Sequence, residues 1–324
     1  MVALALTLAA FGTLGCRSSS LDEQRVEGGD ELTSVQTAPT GEGAAASGPV
    51  TFTDAFGTEL TIEAPERVAV ATYSFAQVWL LAGGTLVGTT QDALDSDLEF
   101  ATDTLSFGSS HNLDVEAIMA MNPDLLILSA DIPEHMKPSE QLAAAGVPTA
   151  YLSVELFEDY LDLLKTFTAI TGRADLYEKH GLVPQEQIEA IRRDCAGKPS
   201  PRILLLRSSA SGVTARNSQT MTGAMLKDLG CVNIADVEGS LLENLSMEVI
   251  IREDPDFIFV VIMGGSVENA QKSLEEALLS NSAWAELDAV KNGRYRILPS
   301  DLFHLKPNQR WPESYETLAE ILYG

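Results

Sequence analysis

Short runs that are apolar at almost every position recur along this chain, at 68–71, 125–128, 202–206 and Phe257–Ile262. A strand wetted on one face alternates apolar and polar side chains. A run without alternation belongs to a strand covered on both faces, as in a parallel sheet between helices. Further strand signals lie at 86–89, Thr149–Leu152 and 295–298. Between them apolar residues return at helical spacing, at 73–82, 141–145, 157–170, 221–229, 247–252, 274–279 and 283–289. Another helix runs to Met121 from a cap at Asn112 or Asp114, and a terminal helix closes the chain. Phe56-Gly57 marks the tip of a hairpin, while 91–103 and 207–217 read as polar loops. Strands alternating with helices predict an α/β fold built on parallel sheets.

One stretch, 174–195, stands apart. It has helical spacing at Leu176, Val183, Ile188, Ile191 and Cys195, but Gly181 and Pro184 interrupt it. Proline removes an internal hydrogen bond, so a kink or two shorter helices is expected there. The same local pattern lies on either side. Glu116 precedes Pro123-Asp124 and an apolar strand, and Glu248 precedes Pro255-Asp256 and another, with a cap residue two before each glutamate, Asp114 or Ser246. A helix–turn–strand unit used twice predicts two related lobes. Taken alone, each glutamate is also well placed to complement a helix dipole. The expected organisation is a signal peptide at 1–15, a tether at 16–49, an N-terminal lobe at 50–155, linking helices at 156–197 and a C-terminal lobe at 198–324.

Charge and the first residues narrow the compartment and the partners. With 21 basic and 47 acidic residues the net charge is −26, and no basic stripe is visible, which excludes nucleic acid as a partner. The opening apolar run has the length of a signal-peptide core and is too short to span a bilayer. It ends at Thr13-Leu14-Gly15-Cys16, which resembles a bacterial lipobox and makes Cys16 the candidate lipidation site. The Ser-, Gly- and Ala-rich tract that follows lacks periodicity, as a disordered tether does. Cys195 and Cys231 remain, either as a disulfide or as two buried thiols.

Several longer stretches carry a resemblance. They are PERVAVA (65–71), LLAGGTLVGTT (80–90), NLDVEAIMAMNPDLLIL (112–128), LAAAGVPTAYL (142–152), TGRADLYEK (171–179), LSMEVIIREDPDFIFV (245–260) and NSAWAELDAVKNGRYRILP (281–299). In this order they are similar to the iron-complex and vitamin B12 class of substrate-binding proteins of bacterial ABC importers. The resemblance implies two Rossmann-like lobes joined by a long rigid α-helix, with a ligand held between them. It implies a monomeric, membrane-anchored lipoprotein on the outer face of the cytoplasmic membrane, with a permease dimer as partner. It also implies that Glu116 and Glu248 dock on that permease. The ligand would be an iron complex, a ferric siderophore or haem, with a corrinoid as the alternative. No cofactor of its own and no resident metal are expected.

Ligands of open α/β sheets sit beyond the carboxyl ends of the strands. That rule selects loops at 72–75, 91–92, 107–111, 130–136, 207–216, 263–266 and 302–311. On them, Tyr73, Phe75, Phe107 and Phe303 could stack on a flat ligand, as could Trp311. Arg207, Arg216, Lys306 and Arg310 could meet carboxylates, catecholates or propionates. Ser109 adds a polar group, and three histidines, His111, His135 and His304, fall in these loops as well. The chain has no P-loop, no G-x-S-x-G, no H-E-x-x-H and no C-x-x-C, so an enzyme is not expected.

Overall fold

A computed structural model describes residues 48–324 except Gly265. Cys16, the signal-peptide reading and almost all of the tether therefore lie outside the described residues. The first sheet runs Leu105–Ser106, Gly88–Thr89, Val68–Val70, Leu125–Ser129, Thr149–Leu152, every neighbouring pair parallel. The second places Arg202–Ser209 beside Phe257–Ile262 and then Tyr295–Ile297, again parallel. On its other side Arg202–Ser209 pairs in parallel with Val232–Asn233 and antiparallel with Gly212–Arg216. The expected α/β class is the class observed, with the first sheet wholly parallel and the second parallel apart from the antiparallel edge strand Gly212–Arg216.

The apolar runs are explained by two-sided burial. Val68, Val70, Leu125, Ile127, Ile203, Leu205, Phe257, Phe259 and Val261 all point into one continuous hydrophobic cluster. The alternate positions of the first sheet, Ala69, Leu126 and Leu128, form a second cluster with Phe107, Ile118 and Met121. Those of the second sheet, Leu204, Leu206, Ile258, Val260 and Ile262, form a third. Each sheet thus keeps one face for its own outer helices and gives the other to a core shared by both lobes.

That shared core is built around helices. Phe157–Thr171 ends at Gly172, whose φ of 70° suits a left-handed cap, and the chain returns through Ala174–Tyr177 and Val183–Cys195. Between these two segments Glu178–Leu182 forms one π-turn, so the interruption at Gly181 and Pro184 widens the helix locally and leaves it continuous. Pro184 has no N–H to give the carbonyl four residues back, that of His180. The Tyr160 hydroxyl donates to it instead, at 2.7 Å. The terminal helix Trp311–Tyr323 packs along Val183–Cys195, and Trp311 meets Phe157 edge to face at 5.6 Å. Cys195 and Cys231 are free, buried thiols, and burial pushes that of Cys231 up to about 12.

The repeated unit is repeated in detail. Val115–Met121 is capped by Asp114 and Met247–Glu253 by Ser246, each side chain accepting from the N–H three residues on. Both helices stop on a left-handed residue, Asn122 or Asp254. The aspartate after each proline then anchors the start of the neighbouring strand. Asp124 accepts from the N–H groups of Glu66 and Arg67 at 2.7 and 2.9 Å, and Asp256 accepts from that of Arg202 at 2.8 Å.

Candidate ligand-binding cleft

Arg202–Ser209 does not end in the expected polar loop. It continues past Leu206, turns at Ala210-Ser211 and returns as Gly212–Arg216. Arg216 lies opposite Leu205 and Thr214 opposite Arg207, so the two arginines share one face of the ribbon as diagonal neighbours. Gly223 lets the helix Met221–Asp228 lie directly on the end of this ribbon. A β-carbon there would sit 2.0 Å from the carbonyl oxygen of Asn217.

Arg207 and Arg216 line a cavity of about 150 Å³ with Glu155, Met221, Met263, Phe303, His304 and Lys306. Both are half-buried, and among the described residues neither guanidinium has a hydrogen-bond or ion-pair partner. Burial, then Arg216, holds Arg207 below the ordinary arginine range, with Glu155 opposing. His304 is held neutral by burial and by the positive charges of Arg207 and Lys306. Its Nε2 accepts from the N–H of Gly264 at 3.4 Å, which leaves the proton on Nδ1, a buried atom without a partner among the described residues.

The other candidates are dispersed. Phe75, at 5% exposure, belongs to the shared core, and Phe107, at 0%, to the outer core of the first lobe. Their rings fill the interior, where the sequence had suggested stacking on a ligand. Phe303 is buried yet lines the cavity, whereas Trp311 is core. The Tyr73 hydroxyl donates to Asp97 at 3.3 Å and accepts from Gln77 at 3.3 Å, apart from the cavity. Ser109 lies in the short ribbon Gly108–Ser109, Asn112–Leu113. His111 is exposed in a separate hollow with Glu134 and Lys137. Arg310 is already neutralised, forked onto Glu313 at 2.7 and 2.8 Å and bonded to Asp301 at 3.0 Å, which raises its pKa. His135 is a structural bolt: Nδ1 accepts from the N–H of Ser129 and Nε2 donates to the carbonyl of Ser110, with burial keeping the ring neutral. Glu116 and Glu248 are exposed in the first turns of their helices.

Two residues outside the sequence candidates hold the cleft together. Asn308, 1% exposed and at φ 50°, donates to the Ser74 carbonyl at 3.0 Å and to Gln77 Oε1 at 2.6 Å, tying the second lobe to the first. Glu155 follows the strand Thr149–Leu152, where the rule about strand ends would have pointed. Its carboxylate accepts from the Met221 N–H at 2.9 Å and from Lys306 Nζ at 2.9 Å. Among the described residues no cluster of three or more histidine, cysteine or carboxylate side chains is placed to hold a metal ion, and no helix is long and apolar enough to cross a membrane.

Three comparisons bear on this architecture. The family profile described as periplasmic binding protein matches residues 68–302. The Fe(3+)-citrate-binding protein YfmC of Bacillus subtilis is 24% identical over 235 residues, covering 71% of this chain and 72% of that protein. Among solved structures, Staphylococcus aureus SirA complexed with staphyloferrin B superposes with a TM-score of 0.65 at 21% identity, over 84% of this chain and 98% of that one. S. aureus IsdE complexed with heme superposes with a TM-score of 0.66 at 15% identity, over 80% and 99%. With two largely parallel sheets about a shared helical core, and a profile match across most of its length, this chain belongs to the periplasmic binding protein family.

Proposed function

We propose that the chain captures an anionic iron complex, a ferric siderophore or haem, in the cleft lined by Arg207, Arg216, His304 and Lys306, and delivers it to the permease dimer of an ABC importer. The observation that carries this reading is the pair of half-buried arginines with no partner among the described residues. A buried charge needs an opposite charge or hydrogen-bond acceptors, and a guanidinium fork matches a carboxylate. The Fe(3+)-citrate binding named for the Bacillus subtilis relative has the same chemistry. Anchoring through a lipid on Cys16 would place the cleft outside the cytoplasmic membrane. Exposed Glu116 and Glu248 would offer the permease one carboxylate from each lobe.

Titration of the purified protein with ferric citrate, a ferric hydroxamate, haem and cyanocobalamin, followed by tryptophan fluorescence, tests the reading. One or more of the iron complexes should bind more tightly than cobalamin. Cobalamin binding far tighter than every iron complex would overturn it.

A further inference from the structure

The cleft already contains a carboxylate, supplied by the chain itself. Glu155 is held in position from behind: Asp159 accepts from the N–H groups of Glu155 and Leu156 at 2.9 and 2.8 Å, which fixes the backbone at this turn. The side chain then crosses to the second lobe and uses both oxygens. One takes the N–H at the start of the helix Met221–Asp228 and the other takes Lys306, an amine that is itself mostly buried. An amide N–H beside an ammonium is the donor set that a ligand carboxylate would use. Glu155 is 45% exposed at the cavity wall, so solvent and ligand both reach it.

The geometry points to Glu155 as a specificity-determining residue that rests on the iron-complex reading above. It neutralises Lys306, leaves Arg207 and Arg216 as the unbalanced charges, and so selects a polycarboxylate iron chelate whose net charge matches two cations. Three cations less one carboxylate, with His304 neutral, leave that balance. Neutral chelates gain nothing from the arginines. More highly charged ones meet Glu155 as a like charge unless a carboxylate arm takes its place on Lys306. A purely structural bolt has the same hydrogen bonds but makes no distinction between ligands of different charge.

Glu155→Gln separates the two, because glutamine keeps the shape and one acceptor oxygen, for Lys306 or the Met221 N–H, while losing the charge. The probes are metal-free citrate and a neutral ferric trihydroxamate, titrated by calorimetry into the full chain at low and moderate salt. Glu155→Gln should bind citrate about tenfold more tightly than wild type, as expected for removing one like charge at a partly solvated site, with the gain shrinking as salt rises. Lys306→Gln should bind citrate more weakly, and the double variant should return to within about threefold of wild type, since the net charge is restored. Affinity for the trihydroxamate should stay level throughout. Unchanged or weaker citrate binding by Glu155→Gln overturns the proposal, as does an equal gain for the neutral complex. Failure of every ferric complex to bind wild type would count against the iron reading alone, because the citrate comparison stands without iron.

Discussion

The two lobes share a helix–turn–strand unit that matches in its cap, its left-handed stop and its strand-anchoring aspartate, yet they bring different chemistry to the cleft. In the first lobe Val68–Val70 ends early, and Thr72 caps the helix Tyr73–Leu81 at once. On that helix Tyr73, Ser74 and Gln77 are neutral and already engaged, and the carboxylate the first lobe sends to the cavity, Glu155, is spent on Lys306 and the Met221 N–H. In the second lobe the corresponding strand, Arg202–Ser209, runs on into a ribbon and displays two arginines. The repeated frame supplies rigidity. The extension beyond one strand supplies the charge. Function in such a molecule can therefore change by altering one ribbon while the paired frame stays intact.

The sharpest way to break this one-sided picture is to remove the charge. Each charge-assisted contact is worth about 1.5–3 kcal/mol. Replacing both Arg207 and Arg216 by alanine should therefore weaken binding of the preferred iron complex at least about a hundredfold. Tyr73→Phe should stay within about threefold, because its hydroxyl is spent on Asp97 and Gln77. A comparable loss from Tyr73→Phe, measured in the same fluorescence titration, would mean that both lobes contribute equally.

A smaller effect compares the lobes through their histidines. His135 in the first lobe, His304 in the second and His180 between them are all held neutral, in each case chiefly by burial. Their folded pKa values lie below the unfolded value of about 6.5, so the unfolded chain takes up protons first as the pH falls. The stability they contribute is fully present above about pH 6.5 and is lost as the pH drops through the folded values. The melting temperature should fall between about pH 7 and pH 5.5, before carboxylates titrate. His304→Gln should flatten that slope with little change at pH 7, whereas His135→Gln should lower the melting temperature throughout. A slope unaltered by His304→Gln would remove the second lobe from this response.

The smallest effect on the isolated protein concerns the feature the lobes share most closely. Glu116→Ala and Glu248→Ala should each change stability by no more than about 1 kcal/mol, the scale of a helix-dipole contact, and should leave ligand affinity unaltered. If the two lobes meet the permease equivalently, cellular uptake should fall with either change and fall further with both. Normal uptake in the double variant would reduce these glutamates to helix-start chemistry.

The frame was legible because two-sided burial leaves a plain signature. Thr149–Leu152 and Phe257–Ile262 match the sequence reading residue for residue, and the Glu-to-Pro spacing revealed the repeat. The second-lobe ribbon was not legible. Ser208-Ser209-Ala210-Ser211-Gly212 broke the apolar run, and alternation of Arg207 with small polar residues looks the same in a loop as in a strand. Aromatic residues misled for a similar reason: Phe75 and Phe107 lie near strand ends, but whether a ring turns inward depends on packing from distant helices. His135 fell in a loop selected by the strand-end rule, and its structural role stayed hidden because its partners, Ser110 and Ser129, only meet it in three dimensions. Glu155 gave no signal at all, being a single carboxylate between apolar neighbours, although its place after a strand was available to the rule used elsewhere.

The shared core has a consequence for the order of assembly. The inner face of the first sheet is covered in part by Phe157 and Tyr160, and Phe157 in turn rests on Trp311. A ribosome makes the first lobe well before it makes the helix Trp311–Tyr323. Until then that lobe has its own outer layer but an unfinished inner one, in which Phe157 lacks the Trp311 ring it packs against. The two halves look like independent units in outline, yet in time they are not: the earlier one must wait, partly open, for the last helix of the later one.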